Sequence, residues 1–90
     1  MNAAWKSFLK LCLKTHDADE LSKLLDCFLT HEEINAITDR FSIIKALLSG
    51  RQTQREMSEV LNVSIAKITR GSNAIKLIDP KLKLFLEKNI

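Results

Sequence analysis

Glycine and proline, the residues that punctuate chains rich in turns, are nearly missing from this 90-residue protein, which has two of the first and one of the second. That scarcity argues against a hairpin-built β architecture, and no segment reads as a strand. There is no apolar run long enough to span a bilayer and no signal-peptide pattern at the start, so a cytoplasmic protein without a membrane partner is expected. Cysteine is limited to Cys12 and Cys27. Both have apolar neighbours, which in that compartment predicts buried, reduced thiols rather than a disulfide. Catalytic machinery is also missing. The chain has no glycine-rich phosphate loop, no nucleophile with an evident base and no paired-carboxylate pocket, so no catalytic residue is assigned. Cys27 and His31 have the spacing of a helical metal half-site, with His16 nearby, but no second pair accompanies them and no metal is expected.

What the chain does contain is 46% hydrophobic residues arranged at helical spacing. Trp5, Phe8, Leu9 and Cys12 mark a first amphipathic helix that should end near Thr15-His16-Asp17. Leu21, Leu24, Leu25 and Phe28 mark a second. Thr30 followed by Glu33 is a capping box that opens a longer helix, with Ile34, Ile37, Phe41, Ile44 and Leu47/Leu48 on one side and Gly50 as its stop. Asp79-Pro80 is a cap followed by proline at the first helical position, so a last helix should run through Leu82, Phe85 and Leu86. Six helices in a chain this short have more apolar stripes than one core can cover, and an interlocked homodimer would resolve that.

The segment Gln54 to Asn73, QREMSEVLNVSIAKITRGSN, carries the functional signal. Thr53 can cap a helix in which Glu56 reaches back and Met57 and Leu61 form the inward stripe. Asn62 tolerates the left-handed conformation that a sharp turn demands, Val63 can plug the corner, and Ser64 is a natural cap for a second helix. In that helix Ile68 should face inward, and Ile65, Ala66, Thr69 and Arg70 outward. Small and apolar side chains exposed beside Thr and Arg suit the major groove, where they touch thymine methyls and base or phosphate acceptors. The net charge of +3 is mild, but Arg51, Arg55, Lys67, Arg70, Lys76, Lys81 and Lys83 all lie in the second half, the half expected to face phosphate. A helix-turn-helix over about residues 54–77 is therefore expected within a single domain, 1–90. Double-stranded DNA is the expected partner. Thr53, Gln54, Arg55, Ser64, Ile65, Ala66, Lys67, Thr69, Asn73 and Lys76 are its candidate contacts.

From Trp5 to the C-terminus the chain resembles the bacterial tryptophan repressors. The resemblance rests on Ile68-Thr69-Arg70-Gly71-Ser72-Asn73, Gln54-Arg55-Glu56, Asp79-Pro80, Phe28-Leu29-Thr30 with its acidic helix start, and Arg40 followed by apolar spacing to Leu47-Leu48. It implies an all-α, six-helix intertwined homodimer with a helix-turn-helix reading head in each subunit. It further implies that L-tryptophan binds as corepressor, with no other cofactor, and that the dimer then binds palindromic operators of genes for tryptophan biosynthesis or uptake. On this resemblance one subunit supplies Leu29 and Thr30 to a pocket completed by Arg40, Ile44, Arg70 and Gly71 of the other. The indole lies between the two guanidinium groups, Arg70 also pairs the carboxylate, and Gly71 leaves room where a side chain would block the ligand. Such a set has the chemistry an indole amino acid needs, a cation against the ring and a fork for the carboxylate.

Two positions and the N-terminal arm depart from the family pattern. Ala74 stands where many of these repressors have a serine that helps hold the ligand's amino group, a difference on the order of 1 kcal/mol. Cys27, at the pocket edge, replaces a frequent leucine. With four residues before Trp5, a short or absent N-terminal arm is expected. A helix-turn-helix protein that binds DNA independently of tryptophan, or with another effector, is therefore the alternative. A helical dimer that binds another protein is a third reading.

Overall fold

The computed structural model describes all 90 residues as six helices and no strand: α1 (Ala3–Cys12), α2 (Ala18–Phe28), α3 (His31–Ser49), α4 (Gln54–Leu61), α5 (Ile65–Leu77) and α6 (Pro80–Asn89). Each start has a local cause. Asp17 accepts from the Glu20 N–H, Ser64 from the Lys67 N–H and Asp79 from the Lys81 N–H, and Pro80 follows as the first residue of α6. These contacts satisfy donors that the first turn of a helix leaves without partners. The Thr30 box is complete: the Glu33 N–H donates to Thr30 Oγ1 at 3.1 Å, and Glu33 Oε1 accepts from the Thr30 N–H at 2.8 Å. The Thr30 backbone N–H, and after it the Thr30 hydroxyl, hold the exposed Glu33 carboxyl below its ordinary pKa by bonding its charged form. At Thr53 the box differs from the expected form, because Glu56 Oε1 accepts from the Thr53 hydroxyl at 3.1 Å.

Contacts divide the chain into two units, Met1–Ile34 and Asn35–Ile90. In the first, an aromatic chain organises α1 and α2. Trp5 stacks on Phe8 with ring centroids 5.5 Å apart, and Phe8 meets the edge of Phe28 at 5.0 Å. Such geometries favour the ring quadrupoles. The cluster leaves Trp5 and Phe28 about half exposed. The expectation of two buried thiols fails here. Cys12 is half-buried and Cys27 exposed, because the inward stripe of α2 is Leu21, Leu24 and Leu25 and Cys27 lies off it.

The second unit has the only fully developed core, made by Ile43 of α3, Met57 of α4 and Ile68 of α5, with Ala46, Leu47, Leu61 and Val63 packed around it. Its centre corrects the reading of α3. The expected inward face ran through Ile37, Phe41 and Ile44, but Ile37 is 57% exposed and Phe41 53%, whereas Ile43 is fully buried. Alpha-helix α3 has two apolar stripes, and the one at Ile43 and Leu47 meets α5. Gly71 makes that approach feasible: a Cβ there would fall 2.7 Å from Ile43 Cγ2 and 3.7 Å from Leu47 Cδ1.

Gly71→Ala should therefore destabilise the chain by about 1–3 kcal/mol, since Ile43 is β-branched and has little rotamer freedom to move aside. Combining it with Ile43→Ala should cost less than the sum of the two single changes in denaturant melts. Strict additivity would contradict this account of the contact.

Candidate nucleic-acid interface and ligand site

Helices α4 and α5 meet through a turn with several independent locks. Asn62 has φ 54° and ψ 47°, the left-handed conformation that ends α4, and its N–H donates to the Ser58 carbonyl. Ser58 also supplies its hydroxyl to the Val63 carbonyl at 2.6 Å and accepts the Val63 N–H on its own carbonyl at 3.3 Å. Ser64 then caps α5 through the Lys67 N–H at 3.2 Å. Val63 is half-buried against the core, as a corner plug should be.

This arrangement decides which side of α5 faces outward. Ile68 is 0% exposed, whereas Ile65 remains 47% exposed and Ala66, Thr69 and Arg70 are exposed beside it. An exposed isoleucine next to alanine and threonine is a surface with little affinity for water and no charge of its own. Thr53, Gln54 and Arg55 are exposed at the start of α4, and Ser64, Asn73 and Lys76 are exposed along α5. Lys67 has a partner that the sequence did not announce: its Nζ lies 3.0 Å from Asp39 Oδ2 of α3, 28 residues earlier. Ser58 is the other contributor that sequence reasoning missed. A serine six residues before the cap carries no local signature of its role.

The residues expected to hold a ligand are divided between the two units. In the second, Arg40 and Ile44 line an open groove of about 410 Å³ on α3 with Ala36, Ile37 and Phe41. The groove thus joins one guanidinium to an apolar wall. Arg70 is exposed on α5 and does not line it, and Ala74 is half-buried further along that helix. Gly71 is buried, and the space beside it is filled by Ile43, so its missing side chain serves helix packing. In the first unit, Leu29 lines a groove of about 380 Å³ with Asn2, Ala4, Trp5, Phe8 and Phe28. Cys27 and Thr30 are exposed, and Thr30 is engaged in its capping box. No three His, Cys, Asp or Glu side chains converge to hold a metal ion, and no helix is long and apolar enough to cross a membrane.

Comparison with known proteins covers almost the whole chain. The family described as Trp repressor protein matches residues 3–90. A protein named Trp operon repressor homolog from Chlamydia trachomatis serovar D is 48% identical over 88 residues, spanning 98% of this chain and 94% of that one. Its counterpart of the same name in Chlamydia caviae is 47% identical over 83 residues, 92% of this chain and 82% of its own. A third, from Xylella fastidiosa strain 9a5c, is 40% identical over 87 residues, 97% and 92% of the two chains.

Proposed function

The chain belongs to the Trp repressor family, and from that premise we propose that it is a tryptophan-responsive repressor that binds operator DNA as a homodimer. The observation that carries the DNA-reading part is the outward surface of α5. Ile65, Ala66, Thr69 and Arg70 are exposed there while Ile68 anchors the same helix in the core. In this reading α4 and α5 form a helix-turn-helix. Ile65, Ala66 and Thr69 meet base edges or bound water in the major groove, and Gln54, Arg55 and Lys76 hold phosphates. A symmetric dimer then presents two α5 helices to successive major grooves, about 34 Å apart.

The dimer is supported by what one chain leaves uncovered. Trp5, Phe28, Ile37, Phe41, Leu82 and Phe85 are all about half exposed, and only three hydrophobic residues are buried. A second copy is the partner whose surface offers matching apolar stripes in equal number. The ligand reading is supported by the groove at Arg40 and Ile44, where a cation lies beside apolar walls as an indole requires. In the assembled pocket, Leu29 and Thr30 of one subunit face Arg40, Ile44 and Arg70 of the other. Arg70 pairs the ligand carboxylate. Ala74 leaves the ammonium group to carbonyl acceptors, and Cys27 borders the indole with a smaller side chain than leucine.

Because Arg70 belongs to both the pocket and α5, bound tryptophan orients the reading heads rather than adding contacts to many bases. The ligand shifts the heads only as far as its affinity differs between their two arrangements. Operator binding measured upstream of tryptophan biosynthesis or uptake genes should be tighter with L-tryptophan by a factor in the usual range for allosteric coupling, about 5–150-fold. Arg70→Ala should abolish that difference in a chain that still folds. Equal affinity with and without saturating tryptophan would contradict the switch and favour an effector-independent DNA-binding protein.

Sedimentation at low micromolar concentration should give twice the chain mass of 10.2 kDa. A stably folded monomer under those conditions would contradict the homodimer.

A further inference from the structure

The one ion pair that reaches across the sequence in the second unit is Lys67 with Asp39, and its position gives it a consequence for DNA binding. Lys67 occupies the first turn of α5, between Ala66 and Ile68, on the helix whose outer face is Ile65, Ala66, Thr69 and Arg70. Its Nζ is 3.0 Å from Asp39 Oδ2, with the two side chains 52% and 36% exposed. The same two helices meet again one turn later. Lys67 and Gly71 are four residues apart on α5, Asp39 and Ile43 are four apart on α3, and Gly71 closes on Ile43. One turn of each helix therefore separates a rigid apolar contact from an exposed polar one. The apolar contact is fixed by packing. The polar contact can be exchanged, because an ion pair this open to water is worth only about 0.2–1 kcal/mol.

We propose that Asp39 is an internal stand-in for DNA phosphate: it holds the Lys67 ammonium against α3 and withholds it from the duplex, which lowers the affinity of the reading head for any DNA. This rests on the DNA-binding function proposed above and adds a residue to it that touches no nucleic acid. The chemistry is a competition of two oxyanions for one ammonium. A carboxylate already at 3.0 Å must be given up before a phosphate oxygen can take its place, and the gain from that phosphate is reduced by what the pair was worth. Through Lys67, Asp39 thus acts as a positioning residue of the reading head. Its effect is on the sequence-independent part of binding, which phosphate contacts dominate.

The experiment is a double-mutant cycle on the full chain, read by binding to a fluorescently labelled mixed-sequence duplex of about three helical turns over a series of salt concentrations. Asp39→Asn, an isosteric change at a partly exposed site, should tighten binding at low salt by up to about fivefold for each reading head engaged. It should also steepen the slope of log affinity against log salt by about 0.9 for each reading head that gains a phosphate contact, about 1.8 for a dimer. In a Lys67→Ala background the same Asp39→Asn change should produce no steepening, because the ammonium it would release is gone. Asp39→Glu, which restores the carboxylate, should keep the native slope. Matching thermal melts establish that the variants fold.

A slope that steepens equally with and without Lys67 would overturn the proposal, since Asp39 would then be acting as a free negative charge near the duplex. An unchanged slope in Asp39→Asn would overturn it as well. If the native chain bound no duplex with a measurable salt slope, the DNA-binding function itself would fall and this proposal with it. Native binding with unresponsive variants would remove only the role of Asp39.

Discussion

The contact on which the rest depends is the seating of α5 on α3, where Ile68 joins Ile43 and Met57 and the backbone at Gly71 closes against Ile43. Once Ile68 points inward, the helical period turns Ala66, Thr69 and Arg70 outward, and Ile65, in the first turn of α5, stays 47% exposed beside them. The proposed DNA reading uses that outer face. The turn locks at Asn62 and Ser58 and the Ser64 cap orient α5 relative to α4, but the apolar contact with α3 holds both helices in place.

Alpha-helix α3 has to serve two sides. Ile43 and Leu47 complete the core with α4 and α5, whereas Ile37, Phe41 and Ile44 form a second stripe beside Arg40 that the chain does not cover for itself. A helix with only one apolar stripe would have packed that stripe inward and left a polar back. The second stripe costs solubility in a lone chain and gains stability when another surface covers it, which is the physical basis of the proposed homodimer. It also makes the groove at Arg40 part of a surface that a partner subunit would complete. In the proposed dimer, ligand binding and subunit contact would share the uncovered stripe of this 19-residue helix, while its other stripe supports α5.

The parts of this structure that were legible in the sequence are those with local causes. Helix starts at Thr30, Thr53, Ser64 and Asp79, the left-handed residue at Asn62 and the stop at Gly50 depend on neighbours within a few positions, and each is found where those neighbours place it. The inward position of Ile68 was also readable, because one cap and one period determine it. Features that depend on distant residues were not readable. Which of two stripes on α3 turns inward is decided by Gly71, 28 residues beyond Ile43. The Asp39–Lys67 pair has the same separation. Cys27 was expected inside on composition, but α2 turns its leucines inward and leaves the thiol outside. The resemblance carried by Ile68 to Asn73 gave the family correctly, as the family match over residues 3–90 shows.

The central claim is that one pocket and one reading surface are coupled through Arg70 and α5. The most direct test is calorimetric titration of L-tryptophan into the protein, free and saturated with operator duplex, alongside the operator affinity measured with and without tryptophan. Linkage requires the duplex to tighten tryptophan binding by the same factor by which tryptophan tightens operator binding. Tryptophan affinity that is identical with and without bound operator would contradict the account.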